Sequence, residues 1–415
     1  VEYISQVKTL NKPKLGITDN FSRNIVLKAC AKIQVGHLTI EDESGIHSFG
    51  ESQATAAVVA HITVHDLSTY FDFFFHGTVG SGEAYMRNAW STPDLLSVIR
   101  LMVLNIQWLS KFNAERPWYS RLLLNIGHKL NNNTLSGSRK NIAAHYDLGN
   151  DFFSLFLDPT MMYSSAIYNE KTTSLEQASV NKLETICRKL KLTEHDHLLE
   201  IGTGWGGMAM YAAEHYGCKV TTTTISKEQY DFAKEKVKHK GLDNKITLLL
   251  EDYRDLEGQY SKIVSIEMIE AVGFEFYENY FAKCSSLLAN NGMMLIQAIT
   301  IPDQRYDYAR KSTDFIKQYI FPGGCLPSNE VIAQCVSQHT DMQIIGLQDI
   351  TQDYAKTLAD WHDRFQTRID DVKAQGFSDS FCRMWEFYLC YCEGGFRERV
   401  ISTSQLLFAK PSYRH

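Results

Sequence analysis

Glu267 and Glu270 stand in SIEMIEAVG, residues 265 to 273, inside an otherwise apolar run. Lys262-Ile263-Val264 before them reads as the start of a buried strand. A carboxylate at the end of such a strand is costly unless something holds it, so the pair is expected to hold a partner. A second constellation with chemical meaning is LLEIGTGWGGMAM, where Gly202, Gly204 and Gly206 permit a tight turn and close approach of the backbone to a ligand.

Gly202, Gly204 and Gly207 also satisfy GxGxxG, so a nicotinamide-binding loop has to be considered. Such a site wants an acid about 20 residues on, at the end of the next strand. That end is Thr223-Thr224-Ile225-Ser226, with no carboxylate. Glu200 instead fits the acidic residue that opens the S-adenosylmethionine loop of methyltransferases, with Gln229 serving the ribose. Asp252 ends the third strand, where it meets an adenine or caps a helix. A turn serving only helix–strand packing is the remaining reading.

The elements that must position these groups follow from the pattern along the chain. Strands are predicted at HLLEIG (197 to 202), CKVTTTTIS, KITLLLED, KIVSIEM and GMMLIQAIT (292 to 300), with amphipathic helices such as NKLETICRKLKL and KEQYDFAKEKVKHK between them. That alternation predicts an α/β fold, a parallel sheet covered by helices on both faces. Residues 1 to about 130 mix helices with short strands, among them HLTIED, VVAHITVHD and the aromatic FDFFF. The polar NNNTLSGSRKN (131 to 141) reads as a linker, giving domains at 1–135 and 136–415.

Composition narrows the classes. Hydrophobic residues make up 44% of the 415 and charged residues 22%, as in an ordinary globular protein. A net charge of -6 gives no reason to expect a nucleic-acid partner. Nine scattered cysteines without a CxxC pair argue for a reducing compartment and against a disulfide framework, and no second pair joins Cys390 and Cys392 to complete a zinc site. The N-terminus lacks the order of a signal peptide. LLSVIRLMVLNIQWLSKF, broken by Arg100, Asn105 and Gln107, reads as a core helix rather than a membrane span. Between Glu115 and Asp147 no acid occurs, while Arg116, Arg121, Lys129, Arg139 and Lys140 do, beside Trp118 and Tyr119. That pattern suits an anionic lipid surface, or else a solvated basic linker.

AHYDLGNDFFSLFLDPTMMYSSAIY (144 to 168), the LLEIGTGWGG loop, EDYRDLEGQYSKIVSIEMIEAVG and DFIKQYIFPGGCLPS together resemble the cyclopropane-fatty-acyl-phospholipid synthases and the mycolic-acid cyclopropane synthases. IHSFG and GSGEAYMRNAW resemble that family's N-terminal domain. The resemblance implies a Rossmann-like class I S-adenosylmethionine methyltransferase fold. It has a mostly parallel seven-stranded sheet and a smaller mixed α+β N-terminal domain associated with lipid. It implies methyl transfer to a cis double bond of a phospholipid acyl chain, then proton loss from a carbocation to a bound bicarbonate or an equivalent base.

Carried over by residue, Tyr163, Ser164, Gly202, Gly204, Thr224, Ile225, Gln229, Tyr253 and Ile266 match cofactor contacts, with Asp252 beside them. Glu270, Tyr354 and Ile299 match the holders of the bicarbonate. Tyr146 matches an aromatic residue near the reacting centre or is a core tyrosine, and Cys392 matches a reactive thiol or is a small buried hydrophobe. Ser165 stands where many members have Cys, and Gln297 where they have His. Both still hydrogen-bond, but Gln297 brings no positive charge. Glu267 replaces a small residue; it meets the cofactor edge, orients the insert, or is structural. The insert after the fifth strand carries Tyr306, Tyr308, Phe315, Tyr319 and Phe321, as an acyl roof or as core.

Three functions remain open: ring formation, methylation without ring closure, and lipid binding by a core that no longer catalyses. The expected setting is cytoplasmic, peripheral to the inner face of the membrane, on unsaturated acyl chains of the bilayer. A homodimer is allowed, and neither a metal nor nucleic acid is expected.

Overall fold

The structure, a computed structural model, describes residues 16–106, 148–171 and 174–414. Tyr146 and the basic stretch from Arg116 to Lys140 lie outside the described residues. The chain packs as two compact units. One takes its described residues from 1–130, 312–320 and 361–400, the other from 131–311, 321–360 and 401–415. Residues 312–320 and 361–400 of the C-terminal half belong to the first unit.

In the first unit, β1 (His37–Asp42), β2 (Gly45–Gly50), β3 (Val59–Val64) and β4 (Trp90–Ser91) form a sheet in the order β2-β1-β3-β4. β1 pairs antiparallel with β2 and parallel with β3. Helices Gly16–Cys30, Ser68–Met86, Leu95–Leu104 and Asp379–Arg397 complete this mixed α+β unit. FDFFF, expected as a strand, lies inside helix Ser68–Met86. Helical spacing is what satisfies it: Phe71 and Phe75 come within 4.3 Å, and buried Asp72 meets His76 one turn on and accepts from Arg87 at 2.7 Å. Tertiary packing has overridden the strand preference of the aromatics.

The second unit holds β5 (His197–Ile201), β6 (Lys219–Thr223), β7 (Ile246–Leu249), β8 (Tyr260–Ile266), β9 (Leu288–Thr300), β10 (Gln343–Asp349) and β11 (Ser402–Ala409). They form the expected seven-stranded sheet, in the order β10-β11-β9-β8-β5-β6-β7. β5 through β9 pair in parallel, and β11 pairs antiparallel with both β9 and β10. Neighbouring residues point to opposite faces, and both faces are covered. Leu199, Ile263 and Met294 join one core with helices Tyr277–Leu287 and Asn329–His339. Leu198, Val264 and Leu295 join another with helices Leu175–Lys189, Gly207–His215 and Lys227–His239. Ser174 and Ser226 cap two of these helices by accepting from Gln177 and Gln229 backbone N–H groups, each completing an S-x-x-Q capping pattern. Strand order reverses between β5 and β8, which places a ligand crevice at their carboxyl ends.

Candidate functional site

The glycine loop leaves β5 at this reversal. Gly202, Gly204 and Gly206 have φ of 99°, 52° and 86°, a region that other residues enter only under strain. The backbone N–H groups of Gly202 and Thr203 donate to Thr223 O, tying the loop to β6. Glu200 acts on it indirectly: its buried carboxyl accepts from Thr222 Oγ1 at 2.6 Å, and Thr222 contacts Thr203 Oγ1 at 2.7 Å. After β6, Thr224 Oγ1 donates to Gln229 Oε1 at 2.9 Å. The Tyr253 hydroxyl is buried without a hydrogen-bond partner. Asp252 holds Arg254 through both carboxylate oxygens, at 2.8 and 2.7 Å, so its charge is committed to that guanidinium. A Cβ on Gly202 would lie 3.3 Å from Met268 Cγ, so the loop abuts the segment carrying the two glutamates.

Ile266 ends β8 and faces Gln297 on β9. The next residue, Glu267, turns into the left-handed region at φ 50° while its N–H donates to Gln297 O at 2.7 Å. Its side chain gathers donors from distant segments. Oε1 accepts from Ser165 N at 2.9 Å and Gln297 Nε2 at 2.8 Å, and Oε2 accepts from the Tyr354 hydroxyl at 2.8 Å. Glu270 follows on a short turn, where Oε1 accepts from Ile299 N and Oε2 is buried without a hydrogen-bond partner. Burial raises the Glu267 carboxyl, opposed by its donors and by Lys182. Burial and the Glu267 charge push Glu270 up to about 8.

Two residues that the sequence did not single out support this pair. Lys182 is fully buried, donates to Ser164 Oγ at 2.6 Å, and is pulled down to about 8 by burial. Gln405 lies opposite Gln297 in the β9–β11 register and donates to Gln297 Oε1 at 2.9 Å, while accepting from Lys189 Nζ at 2.7 Å. That contact orients the Gln297 amide so that its nitrogen faces Glu267. A lysine inside an amphipathic helix and a glutamine inside a C-terminal strand carry no local signal of such roles.

The structure thus brings Ser164, Ser165, Ile266, Gln297, Ile299, Glu270 and Tyr354 into one neighbourhood, centred on Glu267. Tyr163 packs 5.2 Å from Phe153 and 6.4 Å from Phe321. One expectation needs correction, and for Cys392 one of two readings is favoured. The Ser165 hydroxyl does not enter the carboxylate cluster; it donates to Ala166 O, and the backbone N–H is the group that binds. Cys392 belongs to the first unit, on helix Asp379–Arg397, and burial raises its thiol well above its ordinary value. A thiol so held stays protonated and inert.

Glu200 is pushed up to about 8 by burial, as Glu270 is. Each binds its proton more tightly folded than unfolded. The stability this gives is complete below the ordinary value of 4.5 and is lost as pH rises through about 8. The urea midpoint should therefore fall between pH 5 and pH 8.5, and Glu200→Gln should flatten part of that slope. An unchanged slope in the variant would show that Glu200 is ionised in the folded protein.

Residues 134–406 match the family described as mycolic acid cyclopropane synthetase. The chain is 37% identical over 337 residues to the tuberculostearic acid methyltransferase UfaA1 of Mycobacterium tuberculosis, covering 80% of this chain and 78% of that one. It is 38% identical over 341 residues to the cyclopropane-fatty-acyl-phospholipid synthase of Escherichia coli, covering 80% of this chain and 84% of that one. Among solved structures, the mycolic acid cyclopropane synthase CmaA1 complexed with SAH and CTAB superposes with a TM-score of 0.62 at 32% identity. That match covers 66% of this chain and 98% of the other. The fold is that of the Rossmann-like class I S-adenosylmethionine methyltransferases.

Proposed function

Because the chain belongs to the mycolic acid cyclopropane synthetase family and is an S-adenosylmethionine-dependent methyltransferase of lipids, we propose that it methylates the cis double bond of a phospholipid acyl chain and closes a cyclopropane ring there. The observation that carries the reading is the pair of carboxyls at the end of β8, on half-buried residues with the Glu270 Oε2 atom itself enclosed, abutting the glycine loop through Met268. Ring closure releases a proton, and raised carboxyls shielded from water suit its removal.

The residues present fit the cofactor. Gly204 faces open space on the side a Cβ would fill, and the Tyr253 hydroxyl is a buried group in want of a partner. Gly202, Gly204, Thr224, Ile225, Gln229, Tyr253, Ile266, Tyr163 and Ser164 would hold it, with Asp252 holding Arg254 beside them. Bound there, S-adenosylmethionine supplies an electrophilic methyl group. The alkene is a weak nucleophile, so alignment against that methyl is the main demand on the rest of the site.

No described helix is long and apolar enough to cross a membrane. In the proposed reaction the acyl chain of a bilayer phospholipid is met at the membrane surface, on the cytoplasmic side.

A second reading, methylation without ring closure, is favoured by Gln297. Its amide is satisfied by Gln405, Ser165 O and Glu267 and brings no positive charge to the site. Phospholipids from cells expressing the protein decide between the two. A gain of one CH2 with ring methylene protons by NMR supports ring closure, and the same gain without them supports the branched product. Absence of any heat with S-adenosylmethionine in calorimetry would leave only a lipid-binding protein.

Gln405→Leu should lower turnover about tenfold or more with little change in cofactor affinity, because the freed Gln297 amide no longer holds its orientation. The orphaned Gln297 oxygen should also lower stability by about 1–3 kcal/mol, read from the urea midpoint. Wild-type turnover in Gln405→Leu would remove the orienting role.

A further inference from the structure

Family resemblance assigns an added bicarbonate to the neighbourhood of Glu270, Ile299, Gln297 and Tyr354. In this chain those donors are committed to its own carboxylates: Ile299 N to Glu270, and Gln297 Nε2, Ser165 N and Tyr354 Oη to Glu267. We propose that the Glu267 carboxylate is the built-in proton acceptor of the reaction and makes an added anion unnecessary. The inference rests on the alkene-methylation reading above.

Several observations support it. Three donors occupy three of the roughly four lone-pair positions of a carboxylate, leaving one on Oε2 for a proton. The donors come from the Tyr163-Ser164-Ser165 segment, from β9, and from helix Thr351–Thr367, so the position is overdetermined. Glu267 keeps a left-handed backbone at φ 50°, where glycine would rest without strain. Among the five described non-glycine residues with positive φ, Glu267 is the one whose carboxylate gathers three donors, which points to a side chain that is needed there. Burial favours proton uptake by this carboxyl, and Lys182 favours return to the anion afterwards.

The chemistry balances without an oxidant or reductant. The π pair of the alkene forms a bond to the donor's methyl carbon, and the sulfur–methyl pair stays on sulfur. The neighbouring alkene carbon is left cationic. A C–H bond of the new methyl then gives its pair to that carbon, closing the ring, and its proton passes to Glu267 Oε2. The proton leaves to solvent with product release.

The test uses the full chain, S-adenosylmethionine, and phosphatidylglycerol vesicles with cis-unsaturated chains, in buffer stripped of carbon dioxide. Wild-type methyl incorporation should be the same, within about twofold, with and without added bicarbonate. Glu267→Gln and Glu267→Gly should each lose about a hundredfold or more, in the range of a lost general base. Bicarbonate should restore part of the activity of Glu267→Gly, where space is opened, and none in Glu267→Gln, whose amide fills it. Calorimetric affinity for S-adenosylmethionine should stay within about threefold in both variants, which separates a lost base from a collapsed site. A tenfold fall in wild-type rate on removing bicarbonate would overturn the proposal, as would Glu267→Gln keeping more than half the rate. A wild-type protein that binds S-adenosylmethionine but methylates no unsaturated lipid would instead sink the functional reading, and this inference with it.

Discussion

Gly202→Val should weaken S-adenosylmethionine binding by about a hundredfold while the protein still folds. Gly202 sits at φ 99°, and an added Cβ would lie 3.3 Å from Met268 Cγ. A β-branched residue adopts that backbone only with strain of about 1–3 kcal/mol, and the contact with Met268 adds to it. The free protein will relax the loop away from the strained form, so binding has to restore it. A penalty of about 2–3 kcal/mol corresponds to about a hundredfold in affinity. Titration calorimetry at constant pH measures it, with the urea midpoint as a control for folding. Near-normal affinity would mean that the loop does not meet the cofactor through this backbone. Gly204→Ala is the useful companion: nothing lies within 4 Å of its added Cβ, so only the strain at φ 52° and the lost approach of the ligand remain.

Phe315→Ala should destabilise the first unit by about 3–5 kcal/mol, the range for a buried aromatic truncated to alanine. Phe315 is fully buried, its ring centroid 4.6 Å from Phe387 and 5.2 Å from Tyr319. Glycine at position 82 lets it approach, since a Cβ there would fall 2.3 Å from the ring. Gly82→Ala should therefore also destabilise, by overpacking rather than by a void. Against a total stability of roughly 5–15 kcal/mol for a domain, the loss in Phe315→Ala is large. Thermal unfolding should show it as a lower first transition, and an unchanged melting profile would refute the placement of residues 312–320 in that unit. For the insert after β9 the consequence is specific: Phe315 is core of the first unit, and half-buried Tyr319 donates to Glu83 there.

Much of the second unit was legible in the sequence because its signals are local. Strand–helix alternation follows from periodicity, and the turn after β5 follows from glycines that alone take positive φ without strain. The two glutamates announced themselves as charges at the end of an apolar strand. Family resemblance then pointed to Ser165, Gln297, Ile299 and Tyr354, scattered over nearly two hundred positions. What the sequence by itself could not decide is which atoms meet. Glu267 looked the less informative of the pair, yet the register of β9 against β8 and the reach of helix Thr351–Thr367 make it the centre of the site. The register of β11 against β9 alone brings in Gln405, and the burial of a helix face brings in Lys182. Conversely, Asp252 is taken by Arg254, and the Ser165 hydroxyl by the carbonyl of Ala166. FDFFF became helix where buried Asp72 accepts from Arg87, fifteen positions on. Such outcomes depend on long-range hydrogen bonds and on burial, which exist only once strands are registered and faces covered. Residue types and turns were fixed locally, whereas which of the two carboxylates gathers the donors was selected by the tertiary structure.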